Sequence, residues 1–266
     1  MSTPTVNELT LVKIGGNVID DPAALDLFLK QFAQIQGRKI LVHGGGKLAT
    51  ELALKLGLPQ QMVEGRRITD AETLKIAVMV YAGLVNKKIV AKLSGYGLTA
   101  AGFTGADLNL IRAKKRDNQG IDYGFVGDIE SVNSETLVSL LNAGHVPVLA
   151  PITHDGQGQL FNTNADTIAN AVGTALAGKF SVSLIYTFEK SGVLLNVEDE
   201  KSLLPKINLE QFQKLKDEGK IFAGMIPKLT NAFQAVEAGV KQVTLGKADA
   251  LPELHAGKTG TRLTHE

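Results

Sequence analysis

The 266 residues carry 28 Lys and Arg against 27 Asp and Glu, a net charge of +1, so no nucleic-acid surface is expected. Cysteine is absent, which excludes disulfides, zinc–thiolate and iron–sulfur centres and a cysteine nucleophile; tryptophan is also absent, which disfavours base stacking. The polar N-terminus is no signal peptide and no run approaches ~18 apolar residues, so a soluble cytoplasmic protein without a membrane partner is expected.

Short β-branched runs alternate with longer helical patterns, which predicts an α/β fold with a mainly parallel central sheet. Residues 9–14 (LTLVKI) read as the first strand, ending at Gly15-Gly16. Residues 22–36 read as a helix capped by Asp20 or Asp21, with Pro22 in its first turn. A second strand at 39–43 ends at Gly44-Gly45-Gly46, and a helix over 47–56 is stopped by Gly57. Residues 61–69 (QMVEGRRIT) suggest a small hairpin. Residues 70–93 read as one long helix, apolar nearly all round between Ile76 and Leu84, a pattern expected of a helix buried in its own core and against a partner. Strands follow at 98–103, 110–116 and 125–132, the last two a candidate hairpin, then a helix at 134–142 and a strand at 146–152. A helix at 165–176 and a buried strand at 182–187 come next, then helices at 209–218 and 228–238 and a strand at 242–245. A boundary is expected at 177–181 (AGKFS), giving two lobes, 1–178 and 179–266, around one crevice.

Two familiar loops fail their context. Residues 95–100 (GYGLTA) fit a relaxed dinucleotide pattern, but they follow a helix and open a strand, so Gly95 reads as a helix cap. Gly257-Lys258-Thr259 resembles the end of a Walker A loop, but Pro252 stands where its first glycine belongs. His145 and His154 have no catalytic spacing and read as packing residues.

Other features need more than packing. Two glycine clusters end adjacent predicted strands, where parallel sheets bind ligands and glycine lets backbone N–H groups face an anion. Lys13 interrupts an apolar strand just before Gly15-Gly16; a lysine snorkelling from an edge strand is the plain alternative to a cation aimed into the crevice. Asn162-Thr163-Asn164-Ala165-Asp166 precedes a helix, and capping accounts for only one of its polar residues. Lys228 opens a helix, against the dipole, unless an anion is present. Arg66-Arg67 offers guanidinium groups that match a carboxylate, or is a solvated pair on a loop.

These motifs occur in a fixed order: Lys-Ile-Gly-Gly, His-Gly-Gly-Gly, Gly-Arg-Arg-Ile-Thr, Asn-Thr-Asn-Ala-Asp and Gly-Met-Ile-Pro-Lys, with Gly-Phe-Val-Gly-Asp at 124–128. As a set they resemble the amino acid kinase family, and within it the branch that phosphorylates N-acylglutamate in arginine biosynthesis. The resemblance implies a three-layer αβα sandwich. It implies an acylglutamate-binding and dimerising lobe followed by a lobe that binds ATP with Mg²⁺. It makes Lys13 and Lys228 stabilisers of the transferring phosphoryl group, with Asp166 orienting them. Gly45, Gly46, Arg67 and Asn162 become acceptor ligands, with Arg67 on the α-carboxylate. Gly15, Gly16, Glu189, Gly192 and Gly224 fall on the nucleotide side, and no protein metal ligand is implied. One segment departs: the family usually has Leu-Thr/Ser-Asp-Val-x-Gly where this chain has Phe188, then Glu189 at the Asp position.

The acceptor implied is the side-chain carboxylate of N-acetyl-L-glutamate. Its reference pKa near ~4.3 makes it an anionic nucleophile at neutral pH, so no general base is needed. N-acetyl is the default that the resemblance implies, and N-succinylglutamate is a chemically reasonable alternative acceptor. Glutamate, carbamate and UMP are the acceptors of sister enzymes, and a silent metabolite sensor is the non-enzymatic alternative. The resemblance links arginine inhibition to a helix ahead of the first strand. With eight residues before Leu9, arginine insensitivity and a homodimer are expected.

Overall fold

The computed structural model describes residues 7–63, 66–117, 120–196, 198–221 and 225–264. In chain order they form β1 (Glu8–Lys13), α1 (Gly16–Asp20), α2 (Pro22–Gln34), β2 (Arg38–Val42) and α3 (Gly46–Lys55). The hairpin β3 (Met62–Val63) and β4 (Arg66–Arg67) follows, then α4 (Ala71–Ala77), a π-helix over Val78–Val85, α5 (Asn86–Gly95) and β5 (Ala100–Phe103). Next come β6 (Ile111–Lys115), β7 (Gly127–Val132), α6 (Ser134–Asn142), β8 (Val146–Leu149), β9 (Ile152–His154), β10 (Leu160–Asn162) and α7 (Ala165–Ala177). The chain closes with β11 (Ser181–Phe188), β12 (Val193–Leu194), β13 (Leu203–Leu204), β14 (Lys206–Asn208), α8 (Leu209–Asp217), α9 (Ile226–Glu237), β15 (Gln242–Lys247), α10 (Leu251–His255) and β16 (Thr261–Thr264).

The main sheet has the order β14-β16-β15-β11-β1-β2-β8-β5, and every pairing is parallel except β15 with β16. Its strands split by twos between two cores. Leu9, Leu11, Ile40, Val42 and Leu184 join the core under α6, α7, α8 and α9. Val12, Ile14, Leu41 and Ile185 join the one under α2, α3, α5 and α10. A period of two with both faces apolar is what a sheet covered on both sides requires, and the result is the expected αβα sandwich. Fully buried side chains such as Phe28, Phe32 and Ile89 each stabilise it by roughly 1.5–3 kcal/mol.

Helix ends follow local chemistry. Asp21, not Asp20, caps α2, accepting from the amides of Ala23 (2.8 Å) and Ala24 (3.1 Å). At the other end Lys39 donates to the carbonyls of Ala33 (2.9 Å), Phe32 (3.3 Å) and Ile35, and burial pulls its pKa down to about 8. Gly95 is the last residue of α5 rather than its cap; Gly97, with φ +82°, takes the left-handed position after it.

Three expectations change. The strand read over 146–152 is two strands in different sheets, because Pro151 interrupts it; β9 leaves for the small sheet β10-β9-β6-β7. The long helix read over 70–93 is wound as π-helix in its middle. The short elements α1, α10, β10, β12, β13, β14 and β16 were not expected.

Topology fixes where a ligand can bind. The strands before residue 150 lie on one side from β1 outward, and those after residue 180 lie on the other. The order therefore reverses between β1 and β11, and a crevice opens at their carboxyl ends.

Candidate active site

Lys13 is the last residue of β1, in the phase of Leu9 and Leu11, so its side chain lies on the α7 face. Asn164 caps α7 by accepting from the amides of Asp166 (2.8 Å) and Thr167 (3.2 Å). This fixes the first turn, and Asp166 meets Lys13: Nζ to Oδ1 is 2.8 Å. The first turn of α9, which packs on α7, brings Lys228, whose Nζ donates to Asp166 Oδ2 at 3.2 Å. Burial pushes the Asp166 carboxyl up, but the two ammonium groups outweigh it and hold its pKa at about 2. One carboxylate thus holds two cations together. The lysine at a helix N-terminus, unfavourable against the dipole, has a partner.

Two cavities meet at this cluster, both reaching Lys13 and Gly16. The larger, about 630 Å³, is bounded by Gly15, Glu189, Gly192, Ile221, Met225 and Lys228. The smaller, about 230 Å³, is bounded by Gly45, Gly46, Arg67, Asn162 and Asp166. Of the sequence-derived site residues, Gly224 lies outside the described residues.

The glycines are required for more than one reason. A Cβ on Gly15 would sit 2.8 Å from the Thr187 carbonyl oxygen, because β1 and β11 end side by side. Gly45 has φ +146°, and a Cβ there would meet the Tyr81 ring at 3.0 Å. Gly192 also serves packing: its φ is +158°, and Thr261 lies where a side chain would go. The N-terminus of α3 has no side-chain cap, so its first-turn amides are open to the smaller cavity.

Behind the Gly44–Gly46 loop, His43 is fully buried. Its Nδ1 donates to the Gly44 carbonyl (2.7 Å), and its Nε2 accepts from Asn86 Nδ2 (3.0 Å), which also donates to the Val148 carbonyl (3.0 Å). Burial lowers the His43 pKa to about 4, so the ring is neutral and its tautomer is set by these two partners. Lys87 donates to Asn86 Oδ1 and to the Gly102 carbonyl, both at 3.1 Å. Asn86 packs so closely on Gly102 that a Cβ there would fall 1.8 Å from its Oδ1.

Arg67 is only 8% exposed. It donates to the Gly46 carbonyl (2.9 Å), Thr50 Oγ1 (2.8 Å) and Gln60 Oε1. All three partners are neutral, and among the described residues Arg67 forms no ion pair. A buried cation held only by neutral oxygens is arranged for an incoming anion. Asn162 donates to Thr69 Oγ1 at 3.0 Å, joining β10 to the segment after the hairpin.

Sequence reasoning missed several wall residues. Arg116 borders the smaller cavity and is held by Asp128, its Nε 3.0 and 3.2 Å from the carboxylate oxygens. Thr50 and Gln60 hold Arg67. Tyr81 lies between Gly45 and Arg67; the one available signal was a polar tip inside an apolar stretch.

Comparison with known proteins agrees with this architecture. The amino acid kinase family profile matches residues 8–247. The protein named acetylglutamate kinase in Parabacteroides distasonis is 53% identical over 258 residues, 97% of this chain and 100% of its own. That of Cytophaga hutchinsonii is 53% identical over 261 residues, 97% of this chain and 99% of its own. The crystal structure of smu.665 from Streptococcus mutans UA159 matches with a TM-score of 0.78 at 28% identity, covering 97% of this chain and 99% of that one. The chain belongs to the amino acid kinase family.

Proposed function

We propose that this protein transfers the γ-phosphoryl group of ATP to the side-chain carboxylate of N-acetyl-L-glutamate, giving N-acetylglutamyl 5-phosphate in arginine biosynthesis. One observation carries the reading: two cavities of unequal size meet at Lys13, where Asp166 ties it to Lys228. The names of the relatives supply the acceptor.

ATP takes the larger cavity, with its phosphates toward Gly15 and Gly16, where side chains would block the approach. The acceptor takes the smaller one, its α-carboxylate on Arg67 and its amide near Asn162. An oxygen of the side-chain carboxylate forms the new bond to the γ-phosphorus as the bond to the bridging oxygen breaks, releasing ADP. No proton moves, which is consistent with a site whose one buried histidine is neutral and engaged in structure. Lys13 and Lys228 neutralise charge on the transferring group from two sides, and Asp166, bonded to both, keeps them in register. Mg²⁺ on the nucleotide phosphates supplies further charge neutralisation. Among the described residues no three His, Asp or Glu side chains come together, so phosphate and water oxygens would be its ligands. In this reading residues 1–178 supply the acceptor site and residues 179–266 most of the nucleotide site, with Glu189 and Gly192 on its wall.

The test is ADP release with N-acetyl-L-glutamate, N-succinyl-L-glutamate, glutamate, carbamate and UMP. Turnover selective for the acetylated acid supports the proposal. Turnover with a different acceptor, or with none, overturns it.

A homodimer through the helical run 71–95 is part of the same reading. Met79 is 53% and Leu84 59% exposed on it, beside buried Val80 and Val85. Light scattering should give a dimer mass that Leu84→Glu reduces to the monomer. No helix of the described residues is long and apolar enough to cross a membrane.

A further inference from the structure

The π-helix Val78–Val85 borders the smaller cavity through Tyr81. π-winding shifts side chains out of α-helical phase and recurs at functional sites. Here Met79 and Leu84 face outward, and Tyr81, 4% exposed, faces the cavity wall. Its ring packs on Gly45, while its hydroxyl and Arg67 Nη2 flank one point beside Gly46, 4.0 and 3.8 Å from where a Cβ on that glycine would stand, and both residues line the smaller cavity. Packing on Gly45 needs only a ring; it does not need a hydroxyl in an otherwise apolar turn.

Hydrogen-bond accounting gives the hydroxyl a purpose. A guanidinium has donors only, so toward Arg67 the phenol oxygen must accept. Its own hydrogen is then free to donate, and among the described residues no hydrogen bond from Tyr81 to a protein acceptor is formed. The cavity that Tyr81 lines is the remaining place for an acceptor, and a ligand carboxylate there would supply one.

We propose that Tyr81 is a specificity residue: its hydroxyl donates to the same acceptor carboxylate that Arg67 holds, so that the α-carboxylate is recognised by a guanidinium and a phenol together. This rests on the acceptor assigned above. It would make the enzyme select acids with a free α-carboxylate over esters or amides of the same shape.

Tyr81→Phe keeps the ring on Gly45 and removes only the hydroxyl. The experiment compares kcat/KM for N-acetyl-L-glutamate and for its α-amide in the unaltered protein and the variant. We expect the preference for the acid to fall on the order of tenfold in Tyr81→Phe, through acceptor KM, with the ATP KM within about twofold. An unchanged preference, or equal losses with both acceptors, overturns the proposal, because a purely structural role would affect both alike. A shifted ATP KM would point to a disturbed fold and count against it too. Failure of the unaltered protein to phosphorylate N-acetyl-L-glutamate would overturn the assigned acceptor, and this inference with it.

Discussion

The two cavities are built on different principles. The larger is lined by glycine backbone, by apolar side chains such as Ile221, Met225 and Leu194, and by charged groups that include Lys228, Glu189, Lys190 and Lys247. The smaller is walled by polar and charged side chains each tied to a neighbour: Arg67 to Gln60 and Thr50, Arg116 to Asp128, Asn162 to Thr69. A chain of phosphates can be gripped by any set of backbone amides at a strand end, and an apolar slot suits the rest of a nucleotide. A small dicarboxylate has no such extended surface and must be recognised by a few oriented side chains.

The sharpest test of this contrast lies where the cavities meet. Lys13→Ala and Lys228→Ala should each lower kcat by roughly 100-fold or more, since in the proposed mechanism both serve the transferring group rather than either ligand. Circular dichroism should show the fold retained, and a near-normal kcat in either variant would remove that lysine from the reaction. Next in size, Arg67→Ala should raise the acceptor KM by roughly 10- to 100-fold and leave the ATP KM unchanged. A parallel rise in both constants would erase the division between the sites. Gly15→Ala should do the reverse and more weakly. Its Cβ displaces the Thr187 carbonyl, so the ATP KM rises by roughly several-fold while the acceptor KM holds.

A separate effect, on stability rather than on either KM, concerns pH. His43 titrates near 6.5 when unfolded and at about 4 when buried, so the unfolded state binds more protons between those values. Stability is full above pH 6.5 and falls as pH drops toward 4, by up to about 3 kcal/mol from this residue. Asp166, lowered from 3.8 to about 2, adds a further loss below pH 4. Denaturant melts at pH 7, 5 and 4 should show the midpoint falling, and Asn86→Ala should change the slope by altering the partner of the ring. A flat profile would mean that the glycine loop is not held by a neutral histidine.

Much of this was legible beforehand because the main strands announce themselves as apolar runs, the first two of them ending in glycine clusters. Lys13, Asp166 and Lys228 were also legible, each as an electrostatic oddity: a charge in an apolar strand, a surplus polar residue at a cap, a lysine against a dipole. The misses share a different cause. Strands of two to four residues, such as β12 and β16, have no periodic window and exist through partners distant in sequence. The Arg116–Asp128 pair depends on the register of β6 against β7, which shifts at a bulge between Arg112 and Ala113. The π-winding depends on which carbonyl each amide selects, and an all-round apolar pattern does not encode that choice. Tyr81 stayed hidden among core residues for the same reason.

Gly102 sits in the edge strand β5, outside both cavities, yet every other amino acid would bring a Cβ against Asn86. Displacing Asn86 releases His43, and with it the carbonyl that shapes the glycine loop. For the gene, this predicts that a remote codon is a sensitive target alongside those of the cavity. A screen that scored only growth without arginine would recover changes at Gly102 alongside changes at Arg67. An engineer redrawing that edge of the sheet would have to treat Gly102 as part of the catalytic inventory.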